Sequence, residues 1–188
     1  GLGDLYKGPP LVSAHKGRIK AFLADIGGKG VIKPVDGHGG HGIFKLGLDD
    51  PNLNACIETV TLAGRRLAMV QGFLEAVTEG DKRILLLDGE PLGAILRVPQ
   101  GGDLRGNIHV GGKVVATEID AADRAIIAAV APRLRADGLA FVGLDVIGGK
   151  LTEVNVTSPT GIQQMSRLSG TNCEAPVLDW LETRAAAL

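Results

Sequence analysis

The chain has 188 residues, of which 45% are hydrophobic and 22% charged, a composition typical of a globular protein with one domain or two small ones. A net charge of −1 and an aromatic content of 3% exclude the basic, base-stacking surface of a nucleic-acid-binding protein. No apolar run approaches the roughly 20 residues of a membrane span, so no membrane partner is predicted. Cys56 and Cys173 fit no metal-ligand spacing and are expected to be reduced thiols of a cytoplasmic protein.

The first half of the chain is predicted to fold into short strands and two helices. After a loop at Gly1–Pro10, the predicted elements are a helix at Lys16–Ile26, strands at Gly30–Val35 and Ile43–Leu46, a helix at Pro51–Leu62 and a strand at Arg66–Gln71. Gly27-Gly28 is expected to close the first helix. The turn between the first two strands is almost entirely glycine.

The second half is predicted to contain two hairpins and three helices. Its elements are strands at Arg83–Leu87 and Leu92–Val98, a helix at Asp120–Ala136 capped by Asp120, a hairpin within Leu139–Gly161, and helices at Gly161–Leu168 and Glu174–Ala187. Asp88-Gly89-Glu90, between the first two strands, is a strong hairpin signal. Antiparallel hairpins that alternate with single helices predict an α+β fold whose sheets are covered on one side.

The hairpin within Leu139–Gly161 has two possible registers. A two-residue loop at Gly148-Gly149 would pair Asp145 with Thr152 and put Glu153 on the apolar face. A loop one residue longer pairs Asp145 with Glu153 and keeps one face apolar, so this register is predicted. The residues then expected to face a core are Val142, Leu144, Val146, Val154 and Val156.

Asp145, Glu153 and Asn155 share the other face of this predicted hairpin. Two carboxylates directly opposite each other repel unless a cation lies between them or one is protonated. Oxygen ligands of this kind suit Mg²⁺ or Mn²⁺ rather than zinc. An ordinary solvated sheet face with polar residues at alternate positions is the alternative interpretation.

The glycine-rich turn Asp36–Gly42 is a candidate phosphate-binding loop. Its backbone N–H groups can approach a ligand without a Cβ in the way and form an anion nest. It is not a Walker loop, because a strand rather than a helix follows it, and a flexible loop is the alternative. Lys33 precedes the turn and is well placed for phosphate oxygens. His38 and His41 lack a third metal ligand and are interpreted as loop residues or phosphate contacts.

Pro99–Gly112 is too long and too rich in glycine to be a simple connector. A lid over a reactive intermediate and a disordered segment are the two interpretations. Arg83, Arg97 and Arg105 are candidates for clamping a carboxylate or phosphate through the guanidinium fork. Ser158–Gly161 leads into a helix start, which could seat a substrate carboxylate or only cap the helix.

Together these features predict a nucleoside triphosphate site without a Walker motif, and the sequence resembles the ATP-grasp ligases, within them the bacterial glutathione synthetases. The likeness runs from about Leu11 to the C-terminus. The stretches that carry it are I-K-P-V-D-G-H-G-G-H-G-I-F at Ile32–Phe44, D-P-N-L-N at Asp50–Asn54, Q-G-F-L-E-A-V-T-E-G-D-K-R at Gln71–Arg83, R-V-P-Q-G-G-D-L-R-G-N at Arg97–Asn107, and F-V-G-L-D-V-I with L-T-E-V-N-V-T-S-P-T-G in Phe141–Gly161.

The resemblance implies an ATP-grasp fold, in which two α+β subdomains with largely antiparallel sheets grip ATP. The small lid subdomain is expected at 11–74 and the C-terminal subdomain with the magnesium site at 75–188. The family is cytoplasmic and joins γ-glutamylcysteine to glycine, splitting ATP to ADP and phosphate through an acyl phosphate. Its members carry an N-terminal domain ahead of this region, so residues 1–10 are expected to be a loop or a remnant of that domain.

An enzyme of this family is expected to be a homo-oligomer when full length. The alternatives are a nucleotide-binding fragment without ligase activity and an ATP-grasp ligase with another acceptor.

The resemblance also implies roles for individual residues. The implied Mg²⁺ or Mn²⁺ ligands are Asp145, Glu153 and Asn155. The implied contacts to the phosphates, adenine and ribose of ATP are Lys16, Lys33, Gly37, Gly39, Gly40, Gly42, Gln71, Phe73, Leu74, Asp81, Ser158, Thr160 and Gly161. The residues implied near the peptide substrate and the transferred phosphate are Arg83, Arg97, Arg105 and Asn107, with the Ser158–Gly161 turn beside them.

Overall fold

The computed structural model describes residues 8–37, 41–100 and 112–187. Within these ranges the chain divides into two compact units, a small unit formed by residues 8–75 and a large unit formed by residues 76–187. Each unit has its own antiparallel sheet. No helix in the described ranges is long and apolar enough to cross a lipid bilayer.

The small unit is a four-stranded sheet covered on one face by two helices. Its elements are β1 (Leu11–Ser13), α1 (Lys16–Asp25), β2 (Lys29–Pro34), β3 (Phe44–Gly47), α2 (Leu53–Thr61) and β4 (Ala68–Gly72). The strand order is β1-β4-β2-β3. Ile19, Leu23 and Ile57 of the helices meet Ile32 and Val70 of the sheet, all with no exposure. The edge strand β1 is not predicted from the sequence.

The large unit is built on a five-stranded sheet. Its elements, after a 3₁₀ turn at Glu75–Thr78, are β5 (Asp81–Leu87), β6 (Glu90–Val98), β7 (Lys113–Ala116), α3 (Ala121–Ala136), β8 (Phe141–Ile147), β9 (Lys150–Asn155), α4 (Ile162–Ser169) and α5 (Ala175–Ala186). The strand order is β7-β6-β5-β8-β9, with every neighbouring pair antiparallel. Asp120 caps α3 as predicted, because its Oδ1 accepts from Asp123 N at 3.0 Å.

Helices cover both faces of the large sheet, so the prediction of sheets covered on one side is wrong for this unit. On one face, Ile84 and Leu144 pack against Ile126 of α3. On the other face, Ile95 packs against Met165 of α4. The second face can also be covered by a helix, because Leu85 of β5 and Ile95 of β6, which point away from α3, are apolar and pack near α4.

The two hairpins of the large unit each contain a β-bulge. The β5–β6 turn has left-handed Asp88 and Gly89, with φ of 50° and 77°, which confirms the predicted hairpin. Further along this hairpin, the pairing shifts by one residue between Leu85 and Leu86 and leaves Leu92 as the extra residue. This shift places Gly93, Ile95 and Arg97 of β6 on the face of α4.

The β8–β9 loop is the two-residue Gly148-Gly149 turn, so the predicted three-residue loop is wrong. The predicted pairing of Asp145 with Glu153 is nevertheless present, because Thr152 is an extra residue that shifts the register. The Thr152 hydroxyl donates to the backbone oxygen of Asp145 at 3.0 Å. Without this bulge, Glu153 would follow Leu151 onto the face of α3.

Two of the five core residues predicted for this hairpin are wrong. Val142, Leu144 and Val146 are buried, but Val154 and Val156 are 41% and 43% exposed. The reason is that β9 is the edge strand of the sheet, and its residue in the α3 core is Leu151.

Candidate functional site

Four charged side chains meet on the face of the large sheet that α4 also covers. The antiparallel register places Arg83 of β5 opposite Asp145 of β8, and Asp81 of β5 opposite Arg97 of β6. Directly opposite residues point to the same side of a sheet. Arg83, Arg97 and Asp145 are buried. We call these three residues and Asp81 the charged cluster.

Asp145 is the centre of the charged cluster. Arg83 holds it through a two-point fork, with Nε 2.5 Å from Oδ1 and Nη2 2.9 Å from Oδ2. Arg97 Nη2 lies 3.0 Å from the same Oδ1, and Asn155 Nδ2 donates to Oδ2 at 3.3 Å. Burial raises the pKa of the Asp145 carboxyl, but the two guanidinium groups outweigh burial and hold the pKa below its ordinary value. Asp145 is therefore ionised at neutral pH.

Asp81 lies at the edge of the charged cluster, and its pKa is shifted in the opposite direction from that of Asp145. Arg97 Nη2 donates to Asp81 Oδ2 at 2.5 Å, while Oδ1 is buried and has no hydrogen-bond partner in the described part of the chain. Burial and the charge of Asp145 raise the pKa of Asp81 to about 7, against the opposing charges of Arg97 and Arg83. This carboxyl therefore exchanges its proton near neutral pH.

Oxygen atoms suited to a divalent cation adjoin this cluster. Glu153 stands directly opposite Asp145, so the two carboxylates share one sheet face. Asn155 contacts Asp145 through its nitrogen, which leaves its carbonyl oxygen for another partner. Three carboxylates, those of Asp81, Asp145 and Glu153, act on one another beside the guanidinium groups of Arg83 and Arg97.

These donors fit Mg²⁺ or Mn²⁺, which take carboxylate and amide oxygens. Within residues 8–37, 41–100 and 112–187, no three His, Cys, Asp or Glu side chains form a ready-made metal group. The predicted donor set is of a different kind, because it combines the carboxylates of Asp145 and Glu153 with the amide oxygen of Asn155. Mg²⁺ usually takes few protein ligands.

The Ser158–Gly161 turn is anchored on the charged cluster. Arg83 Nη1 donates to the backbone oxygen of Thr160 at 3.0 Å. Gly143 of β8 lets the turn approach, since a Cβ there would lie 2.8 Å from Pro159 Cβ and 3.2 Å from Arg83 Cδ. The side chains of Ser158 and Thr160 are exposed, and Gly161 begins α4 without a side-chain cap. An anion can thus reach both hydroxyls of the turn.

On the small unit, two of the implied ATP contacts share the sheet face that lies away from α1 and α2. Lys33 is paired with Met69, and Gln71 with Val31, whereas the intervening Ile32 lies in the helix-covered core. Gln71 is 6% exposed. The register therefore brings Lys33 and Gln71 onto one face, as expected for two contacts to a single ligand.

Phe73 lies just past the end of β4, where its N–H donates to Lys29 O at 3.2 Å. Lys45 Nζ lies 4.0 Å from the centroid of its ring, and the neighbouring Leu74 is half-buried. Lys45 is not among the site residues predicted from the sequence. Strand alternation is the signal that could have found it, because Lys45 is paired with Val31 on the face of Lys33.

The other predicted residues of the small unit that the structure describes are Lys16, Gly37 and Gly42. Lys16 Nζ forms an exposed ion pair with Glu58 Oε1 of α2 at 2.6 Å. Lys16 thus contacts a helix, whereas Lys33 lies on the sheet face away from the helices. Added Cβ atoms at Gly37 and Gly42 would lie 3.3 Å and 3.1 Å from the Pro34 ring, so both ends of the glycine loop pack on this proline. Five predicted residues lie outside the described ranges, namely His38, Gly39, Gly40, Arg105 and Asn107. Most of Pro99–Gly112 lies outside these ranges too.

Comparison with known sequences is consistent with this geometry. A sequence profile described as prokaryotic glutathione synthetase, ATP-grasp domain, matches residues 5–170. The chain is 55% identical over 170 residues to the glutathione synthetase of Gloeobacter violaceus, which covers 90% of this chain and 52% of that protein. It is 52% identical over 171 residues to that of Thermosynechococcus vestitus, covering 91% and 54%. The chain thus spans about half the length of these relatives.

Solved structures of low sequence identity share the fold. The ATP-grasp ligase PsnB complexed with minimal precursor matches with a TM-score of 0.67 and 19% identity, over 97% of this chain and 57% of that one. D-alanine–D-alanine ligase from Bacillus anthracis complexed with ATP matches with a TM-score of 0.61 and 14% identity, over 90% and 56%. The predicted α+β ATP-grasp fold is confirmed, and the chain belongs to the prokaryotic glutathione synthetase family, of which it contains the ATP-grasp domain.

Proposed function

We propose that this chain binds ATP with Mg²⁺ or Mn²⁺ and is the ATP-grasp part of an enzyme that ligates γ-glutamylcysteine to glycine. The observation that carries the proposal is the placement of Asp145, Glu153 and Asn155 on one sheet face, beside the buried Arg83 and Arg97. Relatives about half identical in sequence are named glutathione synthetase, and this supports the choice of substrates.

The proposed reaction has two steps. The cysteinyl carboxylate of γ-glutamylcysteine attacks the γ-phosphorus of ATP, ADP leaves, and an acyl phosphate forms. The glycine amine then attacks the acyl carbon, phosphate leaves, and the amine loses a proton. Phosphoryl transfer of this kind needs alignment and charge neutralisation more than a covalent residue, which agrees with a site made of arginines and oxygen ligands.

Individual residues are assigned by their geometry. Arg83 connects Asp145 to the turn that carries Thr160, so we assign it to orienting that turn and the transferred phosphoryl group. A divalent ion held by Asp145, Glu153 and Asn155 would neutralise phosphate charge when bound. On the small unit we assign Lys33 to the phosphates and the segment from Gln71 to Leu74 to adenine.

The test is phosphate release from ATP and Mg²⁺ by the 188-residue chain, with and without γ-glutamylcysteine and glycine. Release that requires both substrates supports ligase activity. Glu153→Gln is expected to lower that rate by roughly a hundredfold, the usual scale for losing one electrostatic partner of a phosphoryl transfer. Glu182→Gln, the same change on the exposed part of α5, is the matched control and should leave the rate unchanged.

The second candidate is a nucleotide-binding module that does not turn over alone. The observation that favours it is that the chain spans only about half the length of its relatives. In that case Mg-ATP raises the melting temperature of the chain, and Glu153→Gln removes much of the shift. Phosphate release then stays at the buffer rate with every substrate combination.

The third candidate is an ATP-grasp ligase with a different acceptor. The shared fold with D-alanine–D-alanine ligase and PsnB favours it, because one ATP-binding fold serves different acceptors in those proteins. A panel of amino acids offered in place of glycine separates the two ligase proposals. Faster release with another amine than with glycine would replace glycine as the assigned acceptor.

A further inference from the structure

Arg97 is shared between two carboxylates. Its Nη2 donates to Asp81 Oδ2 at 2.5 Å and also lies 3.0 Å from Asp145 Oδ1. Its Nε lies 3.4 Å from the backbone oxygen of Asp81. With a side chain only 5% exposed, Arg97 has little access to water, and the two acids share the two N–H groups of one guanidinium nitrogen.

Asp81 has an acceptor atom to spare. Its Oδ1 is buried and unpartnered among the residues that the structure describes, and such an atom carries a desolvation cost until a donor reaches it. A guanidinium can present two parallel N–H groups to the two oxygens of one carboxylate. The single contact that Arg97 makes with Asp81 Oδ2 can therefore be extended to a two-point fork by a second contact at Oδ1.

Asp145 has no acceptor to spare. Its Oδ1 receives Arg83 Nε and Arg97 Nη2, and its Oδ2 receives Arg83 Nη2 and Asn155 Nδ2. A cation can bind this carboxylate only where one of these contacts is released. Arg83 is held by its fork and by Thr160 O, so of the two arginines Arg97, which makes a single contact with Asp145, is the one more easily released.

We propose that Asp81 is a positioning residue, which takes over Arg97 when a divalent cation binds Asp145. The proposal rests on the metal site assigned under the proposed function. Arg97 then changes from one shared nitrogen to a complete fork on Asp81, and Asp145 Oδ1 gains a lone pair for the cation. Asp81 thereby keeps a buried arginine and the metal from competing for one carboxylate.

The test is a double-mutant cycle read as Mn²⁺ affinity, measured by electron paramagnetic resonance of free Mn²⁺ with the 188-residue chain and no nucleotide. Asp81→Asn leaves Arg97 with Asp145 alone, so the dissociation constant for Mn²⁺ is expected to rise about tenfold, the scale of one charge-assisted hydrogen bond. With Arg97→Gln present, no arginine is displaced. Adding Asp81→Asn to it should then change the constant by less than about twofold, which is the non-additivity expected of coupled residues.

Asp88→Asn is the matched control, because it removes a carboxylate from the turn at the other end of β5. It should leave the Mn²⁺ affinity unchanged. An equal loss from Asp81→Asn with and without Arg97 would show that Asp81 acts only through its charge, and would overturn the proposal. An unchanged affinity in Asp81→Asn would also overturn it, and would leave Asp81 only the nucleotide contact that the sequence implies.

Two further outcomes keep the test decisive. If Asp81→Asn does not fold, Arg97→Gln alone is informative, because it removes a competitor from Asp145 and must bind Mn²⁺ at least as tightly as the unchanged chain. Weaker binding by Arg97→Gln overturns the proposal. If the unchanged chain binds no Mn²⁺, the assigned metal site itself is wrong, and this inference is overturned with it.

Discussion

Asp81 and Asp145 share Arg97, yet the pKa values of the two carboxyls move in opposite directions. Burial raises the pKa of both, but Asp145 also receives the fork of Arg83. Asp81 has only Arg97 in contact and lies near the charge of Asp145. The number of guanidinium contacts, rather than burial, thus decides which carboxyl is charged at neutral pH.

This difference predicts how Asp81→Asn changes stability with pH. A carboxyl whose pKa rises on folding, here from 3.8 to about 7, binds its proton more tightly in the folded state, so its ionisation costs stability as pH rises through that window. The free energy of unfolding of Asp81→Asn should therefore improve relative to the unchanged chain between pH 5 and 8, by about 2 kcal/mol. Urea unfolding at intervals across this range measures the change.

The lowered pKa of Asp145 does not obscure this effect. Its stabilising contribution is present above its ordinary value of 3.8 and is lost only as pH falls below that value, outside the range tested. Asp88→Asn is again the control, because it removes a carboxylate of the β5–β6 turn, outside the charged cluster. A difference between Asp81→Asn and the unchanged chain that does not vary between pH 5 and 8 would show that Asp81 is ionised throughout this range.

Gly143 gives a second prediction for a single residue. Because a Cβ there would lie 2.8 Å from Pro159 Cβ, Gly143→Ala must displace the Ser158–Gly161 turn or Arg83. The expected loss in the free energy of unfolding is about 1–3 kcal/mol, as for other overpacked sites, measured by urea unfolding. Gly17→Ala is the control, since no atom lies within 4 Å of the added Cβ and alanine favours a helix. Equal effects of the two changes would contradict the packing argument.

At the scale of secondary structure, the two bulges decide which side chains reach the charged cluster. The extra residue Leu92 turns Arg97 onto the face of Asp81, and the extra residue Thr152 turns Glu153 onto the face of Asp145. A shift of one residue exchanges the two faces of a strand. With every residue of these hairpins present, both charged pairs of the site therefore require a bulge.

Deletion of Thr152 tests this view of the β8–β9 hairpin. When Thr152 is deleted, Glu153 follows Leu151 directly. A regular ladder from the Gly148-Gly149 turn then pairs Asp145 with Glu153 without a bulge. We therefore expect the deletion to keep Mn²⁺ affinity within about threefold, with the loss limited to the local twist that a bulge adds. Deletion of Val154 instead moves Asn155 to the other face and should weaken Mn²⁺ binding by about tenfold or more. Equal losses in the two deletions, measured by Mn²⁺ titration, would contradict the register argument.

The same hairpin shows how far the sequence predicts the site. The need to keep Glu153 off the apolar face predicts its pairing with Asp145, and this pairing is present. The predicted three-residue loop is wrong, but a loop one residue longer and a bulge of one residue shift the register by the same amount. Nothing in the alternation of β6 marks Leu92 as the extra residue, so the contact of Arg97 with Asp81 was not predicted. The sequence does not predict the short edge strands β1 and β7, because each has too few residues for a clear alternation.

At the scale of the molecule, the two units have separate cores. The small-unit core is centred on Ile57 and the residues around Ile32. The large-unit core between α3 and its sheet includes Ile126 and Leu144, and Leu144 is the neighbour of Asp145 in β8. Among the described residues these two clusters share no member, so the packing that supports the charged cluster lies within the large unit.

This separation predicts a selective effect of core truncation. Ile57→Ala removes a fully buried side chain and should cost about 2–5 kcal/mol of local stability, seen as faster amide hydrogen exchange within residues 8–75. Its Mn²⁺ affinity should be unchanged, because β5, β8 and β9 keep their packing. Ile126→Ala, equally buried, is the matched variant and should speed exchange within residues 76–187. It should also weaken Mn²⁺ binding, because the strands that hold Asp145 and Glu153 lose their support. If Ile57→Ala weakened Mn²⁺ binding as much as Ile126→Ala, the small-unit core would have to contribute to holding those ligands, and the large unit alone would not account for the metal site.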